Sequence, residues 1–250
     1  MLSALFEKFR SPNKVYAPLD LPKDIAAHFC IDELPQDLHP VIQDKLNFLA
    51  RFKNKPSLPE KFDAVLVIDM QKEFCKTGPI REAIFATRRG TIDTEETVKH
   101  TAPIIDQFRD ANLPIYSIYF AEKPKHPFFI DFYGYKYRTG DTLVYKNENS
   151  AFKTPDNKFE QTLNDAGHKN LLIVGFNTCA CVKSTVIDAQ KAGFNTWLAL
   201  DCTGNDNSGH DTYTQEELAG YRIQSLIAMK NGGTQVTTSA AVLRHIQSAL

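Results

Sequence analysis

Short apolar runs alternate with amphipathic helices along most of this chain, and that alternation restricts its possible folds more than any other feature. The run Ala64–Ile68 contains no polar residue, which is typical of a parallel strand covered on both faces. Further strands are predicted at Pro114–Phe120, Asp141–Lys146, Leu171–Val174, Asn195–Leu200 and Thr234–Thr237. Helices are predicted at Glu95–Asn112 with Thr94 as its N-cap, Phe159–Ala166, Lys183–Gly193, Gln215–Lys230 and from Ala240 onward. The pattern predicts an α/β fold, a three-layer αβα arrangement around a doubly wound, mostly parallel sheet.

The first 60 residues do not follow this alternation. Two short helices are predicted there, at Asp24–Cys30 and Pro40–Phe52, and the proline-marked linker Lys55–Pro59 follows them. Because this part is too small to fold alone, we expect it to pack on the main domain or on a partner subunit. The predicted organisation is an N-terminal helical extension, residues 1–60, followed by one domain, residues 61–250.

Composition excludes several classes of partner. The chain has 29 Lys and Arg against 30 Asp and Glu, so neither nucleic acid nor a membrane surface is expected to bind it. No apolar run is long enough to span a bilayer. The five cysteines are an odd number without framework spacing, which argues against a disulfide scaffold. We therefore expect a cytoplasmic protein.

One cysteine has a local context that predicts reactivity. Cys181 follows the predicted strand Leu171–Val174 and precedes the helix that begins at Lys183. At such a junction backbone N–H groups lack partners and the helix dipole favours a thiolate. Cys181 is thus a candidate nucleophile, whereas Cys179 is expected to be a packing residue or a resolving thiol.

Two charged residues occupy equivalent positions on other strands. Asp69 directly follows Ala64–Ile68, and Lys146 ends Asp141–Lys146. Because ligands bind at the carboxyl ends of parallel strands, we expect both side chains to meet Cys181 in one crevice. Asp69 would take the thiol proton and later deliver it to a leaving amine, and Lys146 would stabilise the thiolate and orient Asp69.

Each of the three residues also has a purely structural interpretation. Asp69 could cap a turn, Lys146 could be a solvated strand-end lysine, and Cys181 could be a buried core thiol. Their joint placement at three strand ends favours the catalytic interpretation.

Three stretches resemble the isochorismatase-like cysteine hydrolases, a superfamily that includes nicotinamidases, N-carbamoylsarcosine amidases, and ureidoacrylate and biuret hydrolases. They are Val67–Cys75, Gly140–Lys146 with Ser150-Ala151-Phe152, and Gly175–Val182 with Thr185, Asp188-Ala189 and Gly193. The resemblance covers about residues 62 to 240. It implies a Rossmann-like, isochorismatase-like fold.

The resemblance also implies residue roles. Asp69 would be the general acid/base, Lys146 the orienting cation and Cys181 the nucleophile that forms an acyl-enzyme. A non-proline cis peptide is implied at Phe176–Asn177, with the backbone N–H groups of Asn177 and Cys181 forming an oxyanion hole. The implied substrate is a small amide, ureide or carbamoyl compound, cleaved at a C–N bond without a cofactor.

Two departures narrow the resemblance. Nicotinamidases usually carry a metal site with an Asp-x-His pair after the second strand. The corresponding residues 121–127 here have one histidine, His126, and no such pair. His126 is expected to be a surface residue. No metal site is therefore predicted. The isochorismatases proper lack the nucleophilic cysteine and cleave a vinyl ether, so Cys181 favours C–N hydrolysis.

Gln71, Phe74, Phe176 and Asn177 are predicted to contact the substrate. For two of them a structural role is an equal alternative: Gln71 could belong to a turn, and Phe74 could belong to the core. The aromatic segment 127–137 is expected either to cover the site or to contact a second subunit of a homo-oligomer.

The alternative function is a catalytically inactive domain that binds a small molecule or a protein partner. A dinucleotide-binding oxidoreductase is excluded because no Gly-x-Gly-x-x-Gly follows any strand.

Overall fold

Six parallel strands form the centre of the protein in a computed structural model, which describes residues 23–34, 40–51, 57–75, 92–156, 158–205 and 215–249. The strands are β1 (Ala64–Ile68), β2 (Ile115–Phe120), β3 (Thr142–Lys146), β4 (Asn170–Phe176), β5 (Asn195–Gly204) and β6 (Gln235–Thr237). They are ordered β3-β2-β1-β4-β5-β6, and each neighbouring pair is parallel. The order reverses between β1 and β4, where a doubly wound sheet opens a crevice.

Helices cover both faces of the sheet. They are α1 (Lys23–His28), α2 (Pro40–Leu46), α3 (Lys72–Cys75), α4 (Ile92–Asp110), α5 (Phe159–Asp165), α6 (Lys183–Lys191), α7 (Gln215–Asn231) and α8 (Ser239–Ser248). Leu66 of β1 lies in one apolar cluster with residues of α5, α6 and α7, whereas its neighbours Val65 and Val67 lie in another with residues of α4 and α8. This alternation along β1 produces the three-layer fold that the sequence predicts.

The described part of the N-terminal extension packs on the main domain. Phe29, Ile42 and Leu46 are buried in the same apolar cluster as Leu66, and the Phe29 carbonyl accepts a hydrogen bond from the Thr238 hydroxyl at 2.5 Å. The predicted helix Pro40–Phe52 is wrong in its second half, where α2 gives way to a 3₁₀ turn, Asn47–Arg51; Phe52 lies outside the described residues. The domain boundary at residue 60 stays a prediction.

Two predicted boundaries need correction because of long-range contacts. Helix α4 begins at Ile92, so Thr94 is not its N-cap; the Thr94 hydroxyl donates to the Cys75 carbonyl instead. Strand β5 continues four residues past Leu200 through a buried Asp201. The strand can continue because His100 and Ser239 satisfy that carboxylate.

Candidate active site

Three strand ends bring the predicted catalytic side chains together. Asp69 directly follows β1, Lys146 ends β3, and Cys181 lies on the π-type turn Thr178–Val182 that joins β4 to α6. We call Thr178–Val182 the nucleophile turn. Because β4 pairs with β1 and β2 lies between β1 and β3, the carboxyl ends of all these strands meet at one edge.

Gly175 allows β4 to reach this edge. Its backbone has φ of +112°, and a Cβ at this position would lie 2.1 Å from the Ile68 carbonyl oxygen. Only a residue without a side chain fits so close to β1. The peptide bond that follows, Phe176–Asn177, is cis.

Asp69 and Lys146 form a buried ion pair. Lys146 Nζ lies 2.7 Å from Asp69 Oδ2, and their side chains are 0% and 5% exposed. The same ammonium donates to the Glu148 carbonyl oxygen at 3.2 Å and lies 5.0 Å from the centre of the Phe120 ring. These partners fix the ammonium beside the carboxylate, as an orienting cation requires.

The Cys181 thiol is close enough to the Asp69 carboxylate and the Lys146 ammonium for both groups to influence its ionisation. Burial and the negative charge of Asp69 together raise the pKa of this thiol to about 12, although the positive charge of Lys146 opposes both effects. This raised pKa is opposite in direction to the lowering expected from the helix dipole. The resting group is a protonated thiol with a carboxylate next to it, which is the arrangement for proton transfer during attack.

A cavity of about 430 Å³ opens next to the nucleophile. Its lining residues come mainly from the loop after β3, and they are Phe120, Asn147, Glu148, Asn149, Ser150, Lys153 and Ser184. Asn149 joins this cavity to Cys181, because its Oδ1 accepts from the thiol across 3.6 Å. Sequence reasoning missed Asn149, although it directly precedes the Ser150-Ala151-Phe152 stretch and follows a strand end.

Two of the predicted substrate-binding side chains are packed against Phe120. The Gln71 amide oxygen accepts from the Phe120 backbone N–H at 2.7 Å, and its Nε2 donates to the Phe120 carbonyl at 3.1 Å. Phe74 packs edge-on against the Phe120 ring with centres 6.4 Å apart. Gln71 therefore ties the end of β2 to β1 and fixes the ring that faces Lys146.

The other two predicted contacts differ in exposure. Phe176 is fully buried in the core, whereas Asn177 is partly exposed and its carbonyl accepts from Ala180 and Val182. These two bonds hold the nucleophile turn in its compact shape. The backbone oxyanion hole at Asn177 and Cys181 stays a prediction.

The aromatic segment 127–137 divides into two parts. Phe132 and Tyr135 are buried, and the Tyr135 hydroxyl donates to Ser117 Oγ at 3.1 Å. Phe128 and Phe129, by contrast, are 84% and 71% exposed. A lid or a subunit contact would therefore use Phe128 and Phe129, and both interpretations stay predictions.

His126 has the surface position that the sequence predicts. It is exposed, and its Nδ1 accepts from the Phe128 backbone N–H at 3.3 Å. The described residues hold no group of three or more His, Cys, Asp or Glu side chains that could bind a metal ion. They therefore do not provide the ligand set of a nicotinamidase metal site. Within the same residues no helix is long and apolar enough to cross a membrane.

Known proteins share this fold. A cysteine hydrolase from Pseudomonas syringae pv. phaseolicola superposes with a TM-score of 0.60 at 18% identity, covering 79% of this chain and 97% of that one. The N-carbamoylsarcosine amidase of Thermoplasma acidophilum gives 0.52 at 18% identity, over 72% and 97% of the two chains. The zinc-bound pyrazinamidase of Pyrococcus horikoshii gives 0.53 at 20% identity, over 72% and 99%.

Sequence comparison defines the family. A secreted isochorismatase effector of Verticillium dahliae is 24% identical over 158 residues, which are 60% of this chain and 77% of that protein. The isochorismatase domain family matches residues 63–240, which include Asp69, Lys146 and Cys181. The chain therefore belongs to the isochorismatase family and is an isochorismatase-like hydrolase.

Proposed function

We propose that the protein hydrolyses a C–N bond of a small amide, ureide or carbamoyl compound through a covalent intermediate on Cys181. The observation that carries this proposal is a thiol placed beside a buried aspartate–lysine pair and next to an open cavity. A thiol, a base and a cation in contact are what nucleophilic acyl transfer requires.

In the first half-reaction, Asp69 accepts the Cys181 proton while Sγ attacks the substrate carbonyl carbon. The carbonyl oxygen becomes an oxyanion, which the backbone N–H groups of Asn177 and Cys181 would stabilise. Asp69 then protonates the leaving nitrogen as the C–N bond breaks. The products of this half-reaction are a free amine or ammonia and a thioester on Cys181.

In the second half-reaction, water attacks the thioester and Asp69 accepts its proton. The C–S bond breaks, the acid or carbamate leaves, and the proton returns to the thiolate. Lys146 keeps Asp69 oriented during both half-reactions because its ammonium is held 2.7 Å from the carboxylate.

A screen of amides, ureides and carbamoyl compounds for ammonia release tests this proposal, with Cys181→Ala as the matched control. We expect release by the wild-type protein only, together with an acyl adduct on the peptide containing Cys181 when the reaction is quenched early. Ammonia release that persists in Cys181→Ala would contradict a covalent mechanism. Binding of screened compounds without turnover would favour the inactive binding domain.

The cytoplasmic location and the homo-oligomer remain predictions of the sequence. Five free cysteines support a reducing compartment, whereas the Verticillium relative is secreted. Cell fractionation tests the location. Sedimentation of the double variant Phe128→Ser, Phe129→Ser tests whether this exposed pair joins subunits. We expect the assembly to have a lower mass than that of the wild-type protein.

A further inference from the structure

A second buried charge cluster lies beside the nucleophile turn and takes no part in the proposed chemistry. Its centre is Asp93, whose side chain is 8% exposed on the first turn of α4. Lys45 Nζ lies 2.5 Å from Asp93 Oδ1, and Arg222 donates to Oδ2 at 2.9 Å. Two cations thus hold one carboxylate, and although burial opposes the shift, they lower the pKa of Asp93.

A chain of hydrogen bonds connects this cluster to the nucleophile turn. Asp93 Oδ2 accepts from the Asn205 backbone N–H at 3.0 Å. Asn205 Oδ1 in turn accepts from the Cys179 backbone N–H at 3.1 Å, two residues before the nucleophile. The Thr178 hydroxyl donates to the neighbouring Gly204 carbonyl at 3.1 Å, so the end of β5 holds the turn at two adjacent residues.

One member of the cluster, Lys45, comes from the N-terminal extension. Lys45 lies in α2, outside the 63–240 match to the family, and its side chain is 2% exposed. Besides Asp93 it donates to the Thr97 hydroxyl at 2.8 Å. A buried lysine with two defined partners keeps α2 in one position against α4.

We propose that Lys45, Asp93 and Asn205 are positioning residues through which the N-terminal extension holds the nucleophile turn in its reactive geometry. This inference rests on the proposed function of Cys181. None of the three residues lines the cavity beside Cys181, and they act through the backbone of Cys179. Loss of the Asn205 acceptor leaves that N–H without its partner, so the turn relaxes and Sγ moves relative to Asp69.

The test uses iodoacetamide as the probe, because its reaction with Cys181 reports on the nucleophile without knowledge of the substrate. Alkylation is followed by site-resolved mass spectrometry on the full chain. Asn205→Leu keeps the size of the side chain and removes its acceptor oxygen, whereas Asn205→Asp keeps an acceptor oxygen. The two cations around Asp93, Lys45 and Arg222, should offset the negative charge that Asn205→Asp adds. Asn205 is partly exposed, so we expect both variants to fold.

We expect Asn205→Leu to slow alkylation of Cys181 by about tenfold and Asn205→Asp to stay within about twofold of wild type. We expect Lys45→Met to slow alkylation of Cys181 as well. A wild-type rate in Asn205→Leu would overturn the proposal, as would equal slowing in the Leu and Asp variants. If alkylation is slow in Asn205→Leu but has the wild-type rate in Lys45→Met, the N-terminal extension does not help to hold the nucleophile turn.

The two proposals fail separately. If no screened compound is hydrolysed and the alkylation pattern holds, the positioning role stands without the C–N hydrolase function. If hydrolysis depends on Cys181 and the Asn205 variants do not differ, the function stands without the positioning role.

Discussion

The nucleophile turn is linked to two buried lysine–aspartate pairs that are alike in geometry and different in surroundings. Lys146 and Asp69 are 2.7 Å apart, and Lys45 and Asp93 are 2.5 Å apart. The first pair influences the ionisation of the Cys181 thiol beside a cavity, whereas Arg222, Thr97 and the Asn205 backbone surround the second.

A buried ion pair by itself therefore does not identify an active site. Both pairs are buried, and both lie beside the same turn. What distinguishes the Asp69 pair is a neighbour that can attack a carbonyl carbon and a space for the substrate. This comparison leads to four tests, given from the largest expected effect to the smallest.

Replacing each aspartate by its amide should separate chemistry from positioning. Asp69→Asn removes the proton acceptor, so hydrolysis of a compound selected by the ammonia screen should fall about 10²- to 10⁴-fold. Asp93→Asn keeps the side-chain size but replaces one acceptor oxygen with a donor NH₂, so one of the groups that donate to Asp93 loses its acceptor, and we expect a loss of about tenfold, as for a modest misplacement. Steady-state kinetics measure both. Equal losses would show that the two pairs have the same role.

Removing each lysine should lower the free energy of unfolding, and by more for Lys146 than for Lys45. Lys146→Met removes the cation paired with the buried Asp69 carboxylate, so the loss should be about 3–5 kcal/mol. In Lys45→Met the Arg222 guanidinium still pairs with Asp93, so the loss should be about 1.5–3 kcal/mol. Urea denaturation measures this change. Lys99→Met is the matched control, because Lys99 is 67% exposed and its ion pair with Glu96 should contribute less than about 1 kcal/mol. A loss in Lys45→Met no larger than in Lys99→Met would contradict the buried role of Lys45.

The pH dependence of Cys181 should show that the resting thiol is protonated. With a pKa of about 12, Cys181 should contribute almost no thiolate absorbance up to about pH 10, measured as the difference between wild type and Cys181→Ala. The same pKa predicts how folding stability changes with pH. As the pH rises, the thiol of the unfolded chain loses its proton before that of the folded protein. The contribution of Cys181 to stability is therefore complete below the ordinary pKa of about 8.5 and decreases as the pH rises above it. A thiolate signal near neutral pH would instead indicate a resting ion pair with Lys146.

The smallest effect is expected from Thr97→Val. This change removes the hydroxyl that accepts from Lys45 and keeps the shape, so stability should fall by about 1.5 kcal/mol. Alkylation of Cys181 should stay within about twofold of wild type, because Asp93 still holds Asn205. A larger change in alkylation than in Asn205→Leu would place Thr97, rather than Asn205, between the cluster and the turn.

Particular residues show why the sequence predicted the fold and the three catalytic candidates. Uninterrupted apolar runs define the parallel strands, and polar residues at their ends must lie at one edge of the sheet. That rule alone predicts that Asp69, Lys146 and Cys181 lie close together. The predicted end of β5 at Leu200 is wrong, because the strand continues through Asp201 to Gly204.

Long-range contacts decided the rest. The burial of Asp201 depends on His100 and Ser239, and that of Lys45 depends on Asp93, 48 positions away along the chain. The partners of Gln71 and Asn149, and the raised pKa of Cys181, depend on which groups the loops place around them. The sequence by itself determined which residues stand at the strand ends, because local periodicity sets that. Only the tertiary structure decided which of them are desolvated and paired, because burial and electrostatic contact depend on distances between residues far apart in the chain.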